Sequence, residues 1–171
     1  FHDKVADIWN AILKGADVPR NWKIIRTVMI PKANGSDRPL SIAPLAWRVG
    51  MSIVMKALAD WVDAWAPPEL VGGLRGRMAD MLHEELMEEI VKANETDSLI
   101  IAAKQDLKKC FDSVNIDIAV HIFARLGAPK GVVSAIRSFY TGQERWIEAK
   151  GTTACSPINI KASLLQGYPA S

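Results

Sequence analysis

The sequence predicts an α+β fold for a chain of 171 residues. Segments with apolar residues at helical spacing are mixed with short β-rich runs that end at turn signals. The two kinds of segment do not follow the regular strand–helix–strand order of a doubly wound sheet, which favours α+β. A hydrophobic content of 49% is enough for a buried core and argues against a disordered chain.

The N-terminal part of the chain predicts a helix followed by a β-hairpin. Apolar residues at helical spacing indicate a helix over residues 3–14, and Gly15 ends the pattern. The β-rich run 24–30 and the run 40–42 are the expected strands of the hairpin. The pair Asn34-Gly35 between them is a strong hairpin-turn signal.

Two amphipathic helices are expected next. An apolar stripe that contains three tryptophans indicates a helix over residues 45–65, and Pro67-Pro68 stops it. Because tryptophans recur from Trp22 to Trp65, we interpret them as core residues. A second helix is expected over residues 79–92, with acidic side chains facing outward. The side chains expected to point inward are Leu82, Leu86 and Ile90.

The second half of the chain predicts strands and helices in turn. Asn115 is a suitable N-cap for a helix over residues 116–126, and Pro129 suits the first turn of a helix that ends near Tyr140. Strands are expected at residues 98–105, 144–149 and 157–162.

The charge is unevenly distributed along the chain. The net charge of +2 hides an uneven distribution: residues 78–97 carry 1 Lys/Arg against 7 Asp/Glu, whereas each flanking segment has an excess of +4. We interpret the acidic block as a solvated helix face.

Cys110 and Cys155 indicate neither a disulfide framework nor a zinc site, and no run is long enough to span a membrane. No signal peptide is apparent, and a chain that begins at Phe1 is expected to be an internal piece of a longer protein.

The segment Gln105–Asp112 is the strongest candidate for chemistry. The apolar run 99–103 leads into it, so Asp106 is expected to present a carboxylate where a buried strand ends. Magnesium prefers carboxylate and carbonyl oxygens, and polymerases use divalent ions to align a triphosphate. Asp106 and the carbonyl of Leu107 would form part of such a site. A lone Asp after a strand is also common without any metal.

Three neighbouring side chains have open interpretations. Asp112 suits either this site or the cap of the helix that follows. Phe111 is either a core aromatic or a wall beneath the sugar of a nucleotide, where its ring would exclude a 2′-hydroxyl. Cys110 is interpreted as a small buried hydrophobe.

Two further places in the sequence are suited to nucleotide binding. Lys32 and Arg38 flank the hairpin turn, where they are either solvated cations or a clamp for a triphosphate. Near the C-terminus, Gln166 is suited to donate a hydrogen bond to a sugar or base. Gly167 permits close approach of the backbone.

Five motifs occur together in one order. They are Ile30-Pro31-Lys32, Arg38-Pro39-Leu40-Ser41, Gly73-Leu74-Arg75-Gly76-Arg77, Asp106 to Val114, and Gln166 to Ser171. In this order and spacing the chain resembles the reverse transcriptases of non-LTR retrotransposons, with group II intron enzymes as the nearest relatives. The resemblance extends from about Trp22 to Ser171.

The resemblance implies part of a right-hand polymerase. Residues 1–97 would be the fingers region with an N-terminal helix. Residues 98–171 would be a partial palm that stops before the second catalytic Asp pair. Asp106 would be the catalytic and metal-binding Asp, with the Leu107 carbonyl as co-ligand and Phe111 as the sugar gate.

The remaining site residues are also implied by the resemblance. Lys32 and Arg38 would contact the triphosphate of the incoming dNTP. Gln166 and Gly167 would form the wall of its pocket. Arg75 and Arg77 would bind the template, a role that makes binding depend on salt.

The chain departs from the family pattern at three points. Leu74 replaces an aromatic, Cys110 replaces an alanine, and the strand with the second catalytic Asp pair would lie beyond Ser171.

The resemblance therefore implies a fragment of an RNA-directed DNA polymerase that is inactive alone. The enzyme would use two Mg²⁺ ions, an RNA template, a DNA primer and dNTPs. The alternatives are a catalytically dead nucleic-acid-binding remnant, a maturase-like RNA-binding protein, or an unrelated α+β domain.

Overall fold

The computed structural model describes residues 2–33, 35–107, 110–158 and 163–165. The chain forms two compact units, one made of Phe1–Leu58 with Lys109–Ser171 and the other of Ala59–Lys108. The boundary expected between residues 97 and 98 lies inside the second unit, and the division into fingers and palm remains a prediction.

The described residues form helices and strands in a mixed order, as expected for an α+β fold. A 3₁₀ turn at Arg20–Trp22 precedes the first strand. In chain order the elements are α1 (His2–Leu13), β1 (Ile24–Pro31), β2 (Asp37–Ile42), α2 (Leu45–Ala57), α3 (Ala59–Trp65), α4 (Ala79–Glu95), α5 (Cys110–Ser113), α6 (Ile116–Arg125), α7 (Lys130–Tyr140), β3 (Glu144–Ala149) and β4 (Thr152–Thr153).

The first unit contains a four-stranded sheet in the order β2-β1-β3-β4. Strands β1 and β2 form the predicted antiparallel hairpin, in which Ile30 lies opposite Arg38. Asn34 lies outside the described residues. Gly35 has a φ of 77° and donates its N–H to the Lys32 carbonyl at 3.0 Å, which fits a turn that needs a glycine. Strand β3 pairs with β1 in parallel.

Stacked aromatic rings form the centre of the core of the first unit. The Trp47 ring stacks on Trp9 at 4.8 Å and on Phe139 at 4.2 Å between centroids. The Trp9 indole N–H donates to the Ala46 carbonyl at 3.1 Å. A Cβ at Gly50 would lie 2.0 Å from the Trp9 ring, so α2 can approach α1 this closely only with glycine there. The prediction that Trp47 is a core residue is confirmed.

The predicted cap of α6 is confirmed. The Asn115 side-chain oxygen accepts hydrogen bonds from the backbone N–H groups of Asp117 at 2.9 Å and Ile118 at 3.3 Å. The alternative cap was Asp112, and this interpretation is wrong because Asp112 lies within the short helix α5. Asn115 is closer to the first turn of α6 and satisfies its unpaired N–H groups.

Replacing Asn115 with alanine is expected to lower the free energy of unfolding by about 1 kcal/mol, because two backbone N–H groups of α6 lose their acceptor. Asn115→Asp keeps an acceptor oxygen and is the matched control. Denaturant unfolding of the two variants and the wild type measures the difference. Equal midpoints for Asn115→Ala and the wild type would show that the cap is dispensable.

The helix predicted over residues 45–65 is two helices, α2 and α3, which meet at Leu58. Leu58 leaves the helical region with φ −97° and ψ 9°, and its N–H bonds to the carbonyls of both Val54 and Met55. The apolar stripe continues across this break. Periodicity therefore predicts helical structure over this stretch but not the break at Leu58.

Helix α4 is confirmed as a helix in the second unit, but its inward face is not buried. Leu82 is 38% exposed and Leu86 is 45% exposed, and none of the described α4 residues is buried. A small unit buries a smaller share of its surface than a large domain does, which is consistent with the exposure of this face. The acidic side chains of α4 are exposed, as expected.

The strand predicted over residues 98–105 is wrong. Residues 98–107 belong to neither a helix nor a strand, and Leu99 and Ile101 are each 87% exposed. A strand forms only where a partner satisfies its backbone, and no described strand pairs with this run. The expected strand at 157–162 is represented by one bridge between Arg145 and Ile158, and residues 159–162 lie outside the described part.

Among the described residues, no helix is both long and apolar enough to span a membrane.

Candidate functional site

Lys32 and Arg38 lie at the open end of the β1–β2 hairpin. The Lys32 N–H donates to the Ser36 carbonyl at 2.8 Å, so the antiparallel register continues from the pair Ile30–Arg38 to residues 32 and 36. Because side chains alternate along a strand, both cations then lie on the same face. As diagonal cross-strand neighbours, their backbone positions are about 7–8 Å apart. Both residues are exposed. The hairpin thus presents two positive charges on one face.

The opposite face of the hairpin borders a cavity. Ile25 and Thr27 are buried, which shows that the odd-numbered residues of β1 point inward. The cavity has a volume of about 290 Å³. Its lining is Thr27, Met29, Pro39, Ser41, Asp112, Arg145, Ile147, Ile158, Ser163 and Leu164. Because Lys32 and Arg38 lie on the other face, the structure does not bring the two cations into this cavity.

Arg145 is the most unusual side chain in this cavity, because it is charged and only 5% exposed. Its guanidinium donates to Gln143 Oε1 at 3.3 Å, to Ser163 Oγ at 3.1 Å and to the Ser163 carbonyl at 3.0 Å. Burial lowers the pKa of Arg145, while the nearby Tyr140 and Asp112 act in the opposite direction. Nothing in the sequence predicted a role for this residue. An arginine in a strand is usually exposed, and no motif marks it.

The segment Ser163–Leu165 is tied to several elements of the first unit. The Leu164 N–H donates to the Phe111 carbonyl at 2.8 Å, and the Ser163 N–H donates to the Val114 carbonyl at 3.1 Å. The Leu165 N–H donates to the Tyr140 hydroxyl at 3.2 Å. Burial raises the pKa of Tyr140, and its hydrogen bond to Leu165 and the charge of Arg145 oppose this shift.

Cys110, Phe111 and Asp112 all lie in the short helix α5. Phe111 is half-buried in α5, and Asp112 lines the cavity. Cys110 is exposed, so its interpretation as a buried hydrophobe is wrong. A short helix covers only the side chains on the face that packs against the protein, and Cys110 is not on that face. The predicted pocket wall, Gln166 and Gly167, lies outside the described residues.

Asp106 and Leu107 belong to the second unit, and both are exposed. Within residues 2–33, 35–107, 110–158 and 163–165, no group of three or more His, Cys, Asp or Glu side chains is arranged to hold a metal ion. A carboxylate and a backbone carbonyl are the hard oxygen ligands that Mg²⁺ prefers. The donors at Asp106 and Leu107 therefore fit part of a magnesium site and do not make a complete one.

The two predicted template-binding arginines differ in their surroundings. Arg75 is exposed. The Arg77 guanidinium donates to the backbone carbonyls of Ala66 at 3.3 Å, Leu70 at 3.0 Å and Pro67, and lies 3.9 Å from Asp63. Arg77 therefore stabilises the loop that follows α3.

A comparison with known protein families shows the family of this chain. Residues 30–171 match the model of the family described as reverse transcriptase (RNA-dependent DNA polymerase). The match spans most of the 171 residues and includes all five sequence motifs. The chain belongs to the reverse transcriptase family. A search of curated proteins found no match.

Family membership indicates what domains of this kind do in general. The family consists of RNA-directed DNA polymerases, which are nucleotidyltransferases. Such domains bind a nucleic-acid template, a primer and nucleotides, and they generally use divalent metal ions. The resemblance drawn from the sequence is therefore confirmed for the family. The subtype and the roles of individual residues stay predictions.

Proposed function

We propose that this chain is the fingers and partial palm of a retroelement reverse transcriptase of the non-LTR or group II intron type. The enzyme would add dNTPs to the 3′ end of a primer on an RNA template. The observation that carries the proposal is the family match over residues 30–171, because it contains every motif that pointed to a polymerase. The paired cations on the hairpin and the position of Phe111 beside the segment 163–165 support it.

Asp106 has the central role in this proposal. Its carboxylate and the Leu107 carbonyl would hold a divalent ion, and a second carboxylate pair outside the described residues would complete a site for two Mg²⁺ ions. Bound ions would neutralise charge on the attacking and leaving oxygens during transfer. Asp106 is exposed, so its carboxylate is accessible to an ion and to the phosphates of a nucleotide.

The basic side chains would bind the phosphates of the substrates. Lys32 offers a point charge and Arg38 a planar fork, and the two together suit a triphosphate. Arg75 and Arg77 would lie along the template. The bonds of Arg77 to the loop after α3 would then orient this loop as well.

Primer extension by the full-length protein that contains these residues tests the proposed function. A DNA primer annealed to an RNA template is supplied with dNTPs and Mg²⁺. We expect the primer to be extended, and we expect no extension when a chelator removes the divalent ions. Binding of the primed RNA without extension would contradict the polymerase and favour a nucleic-acid-binding remnant or a maturase-like protein.

Replacing Arg38 or Lys32 with alanine is expected to raise the KM for dNTP by about tenfold or more, because a hydrogen bond to a charged group contributes about 1.5–3 kcal/mol. The kcat should change less, provided that these side chains bind the triphosphate without taking part in the transfer. Steady-state primer extension at varied dNTP concentration measures both values.

The matched control for these two variants is Lys56→Ala, which removes one exposed positive charge from α2 of the same unit. It should leave the KM unchanged. An equal rise in the KM for Lys56→Ala would indicate a general effect of charge. Unchanged KM values in Lys32→Ala and Arg38→Ala would refute the clamp.

A further inference from the structure

We propose that the cavity bordered by the β1–β2 hairpin binds a guanine base, whose polar edge would face Arg145 and Asp112. The described residues that line this cavity all belong to the first unit. The site lies on the face of the hairpin opposite Lys32 and Arg38. It goes beyond the proposed polymerase function, because a base without phosphates needs neither of these two cations.

One side of the cavity is the face of a sheet. Thr27 of β1 lies opposite Ser41 of β2 and beside Ile147 of β3, so three neighbouring strands form this side. Asp112 in α5 and Leu164 also line the cavity and come from other parts of the chain. Its volume of about 290 Å³ lies near the lower end of the range for small-molecule pockets, about 300–1,000 Å³. A sheet face on one side suits a flat ligand of modest size.

The sheet side of the cavity is polar at one end and apolar at the other. Arg145 of β3 pairs with Ile25 of β1, whereas Met29 and Pro39 form a pair four residues further along β1. Four residues of a strand span about 13 Å. A ligand would therefore place a polar edge near Arg145 and an apolar body near Met29 and Pro39.

The polar end of the cavity has more hydrogen-bond donors than acceptors. A guanidinium carries five N–H donors. The hydrogen bonds of Arg145 to Gln143 and Ser163 use three of them, so two lack an acceptor among the described residues. The Gln143 amide nitrogen beside this guanidinium is also buried without a partner there. Because unpaired buried donors are unfavourable, this end favours a ligand that offers an acceptor.

Asp112 supplies acceptors to the same cavity. Its side chain is exposed, so the cavity is accessible from solvent at this residue. Burial lowers the pKa of Arg145 and the charge of Asp112 opposes this effect, yet no ion pair within the described part of the chain joins the two. A group that lies between them would accept from the guanidinium and donate to the carboxylate.

Guanine presents these groups side by side. Its O6 is an acceptor that arginine recognises in nucleic acids. The adjacent N1–H and N2–H are two donors, and a carboxylate has two oxygens that accept them. Adenine and cytosine offer one donor group beside an acceptor, and uracil has one donor between two acceptors. Enzymes that bind an unpaired base likewise combine hydrogen bonds to its pairing edge with apolar walls.

Equilibrium dialysis of the full-length protein against radiolabelled nucleosides tests the site. Nucleosides carry no phosphate, so this readout does not depend on DNA synthesis or on the hairpin cations. We expect guanosine to bind about tenfold or more tightly than adenosine, cytidine and uridine, which is the discrimination that one bidentate pair provides.

Asp112→Asn is the decisive variant, because it keeps the shape of an exposed side chain and replaces one acceptor with a donor. Xanthosine has a carbonyl where guanosine has its N2 amino group. We therefore expect the affinity for guanosine to fall about tenfold or more and the affinity for xanthosine to rise by a similar factor.

Two further variants make this result specific. Met29→Trp should fill the apolar end and weaken guanosine binding about tenfold or more, while Asp112 and Arg145 are unchanged. The matched control is Asp7→Asn, which removes an exposed carboxylate from α1 in the same unit and should keep the wild-type affinities.

A second ligand distinguishes two sources of the base. It is a single-stranded oligouridylate with one central guanosine, compared with the same strand without guanosine. Tighter binding of the guanosine-containing strand, lost in Asp112→Asn, would assign the site to a base of RNA. Equal binding of the two strands, together with selective binding of free guanosine, would assign it to the nucleoside.

No preference for guanosine, either free or within the strand, would overturn the inference. An unchanged ratio of guanosine to xanthosine affinity in Asp112→Asn would also overturn it, because the base would then be recognised elsewhere. Failure of the wild type to extend a primer would contradict the proposed function alone, since nucleoside binding is measured without synthesis.

Discussion

Replacing Asp106 with alanine is expected to abolish DNA synthesis by the full-length protein, with a loss of at least about a thousandfold, or roughly 4 kcal/mol of transition-state stabilisation. The substitution removes the carboxylate proposed to hold a divalent ion at the reacting phosphate. Asp106 is exposed, so the folded structure should lose little stability. Single-turnover primer extension under saturating dNTP measures the chemical step directly.

Two further variants make the Asp106 result specific. Asp106→Asn keeps the shape of the side chain and removes its charge, so it should be almost as inactive as the alanine variant. Asp80→Ala removes an exposed carboxylate from α4 in the same unit and should retain the wild-type rate. Synthesis by Asp106→Ala at more than a tenth of the wild-type rate, in the presence of Mg²⁺, would refute the assignment.

Replacing Phe111 with alanine is expected to admit ribonucleotides. Removal of the ring would leave room for a 2′-hydroxyl, and the preference for dNTPs over rNTPs should fall at least tenfold, or about 1.4 kcal/mol. The values of kcat/KM for a matched dNTP and rNTP pair give this preference. The rate with dNTPs should change less than the rate with rNTPs, because the gate acts by exclusion.

The control for Phe111 is another aromatic truncation in the same unit. Phe123 lies in α6 and packs partly buried against the core. Phe123→Ala should therefore lower stability without altering the choice of sugar. An unchanged preference in Phe111→Ala would show that the ring is a core residue, which was the other interpretation of this position.

Local chemistry accounts for the elements that the sequence predicted well. The hairpin follows from two β-rich runs around a turn that needs a glycine, and the Gly35 backbone has the positive φ that this turn requires. The start of α6 follows from a cap whose donors lie two and three residues away. Such interactions form between near neighbours in the chain, so the order of residues is enough to predict them.

The candidate site was predictable only in part. Its motif residues were found because their types and order are specific to a family, and the match over residues 30–171 confirmed that family. The hydrogen bonds of Arg145 to Ser163 and of Tyr140 to Leu165 were not predicted. Their partners lie 18 and 25 residues further along the chain, and no spacing rule connects them.

The sequence by itself determined the family, the hairpin with its two cations, and most of the helices, although not the break between α2 and α3. Tertiary structure decided which apolar segments are buried. Residues 98–105 were predicted to form a buried strand, yet no described strand pairs with them and they are exposed. It also decided that Arg145 is buried beside the cavity and donates hydrogen bonds to Ser163. The physical reason is the same in both cases, because burial and strand pairing depend on partners that are distant in the chain and are brought close only by folding.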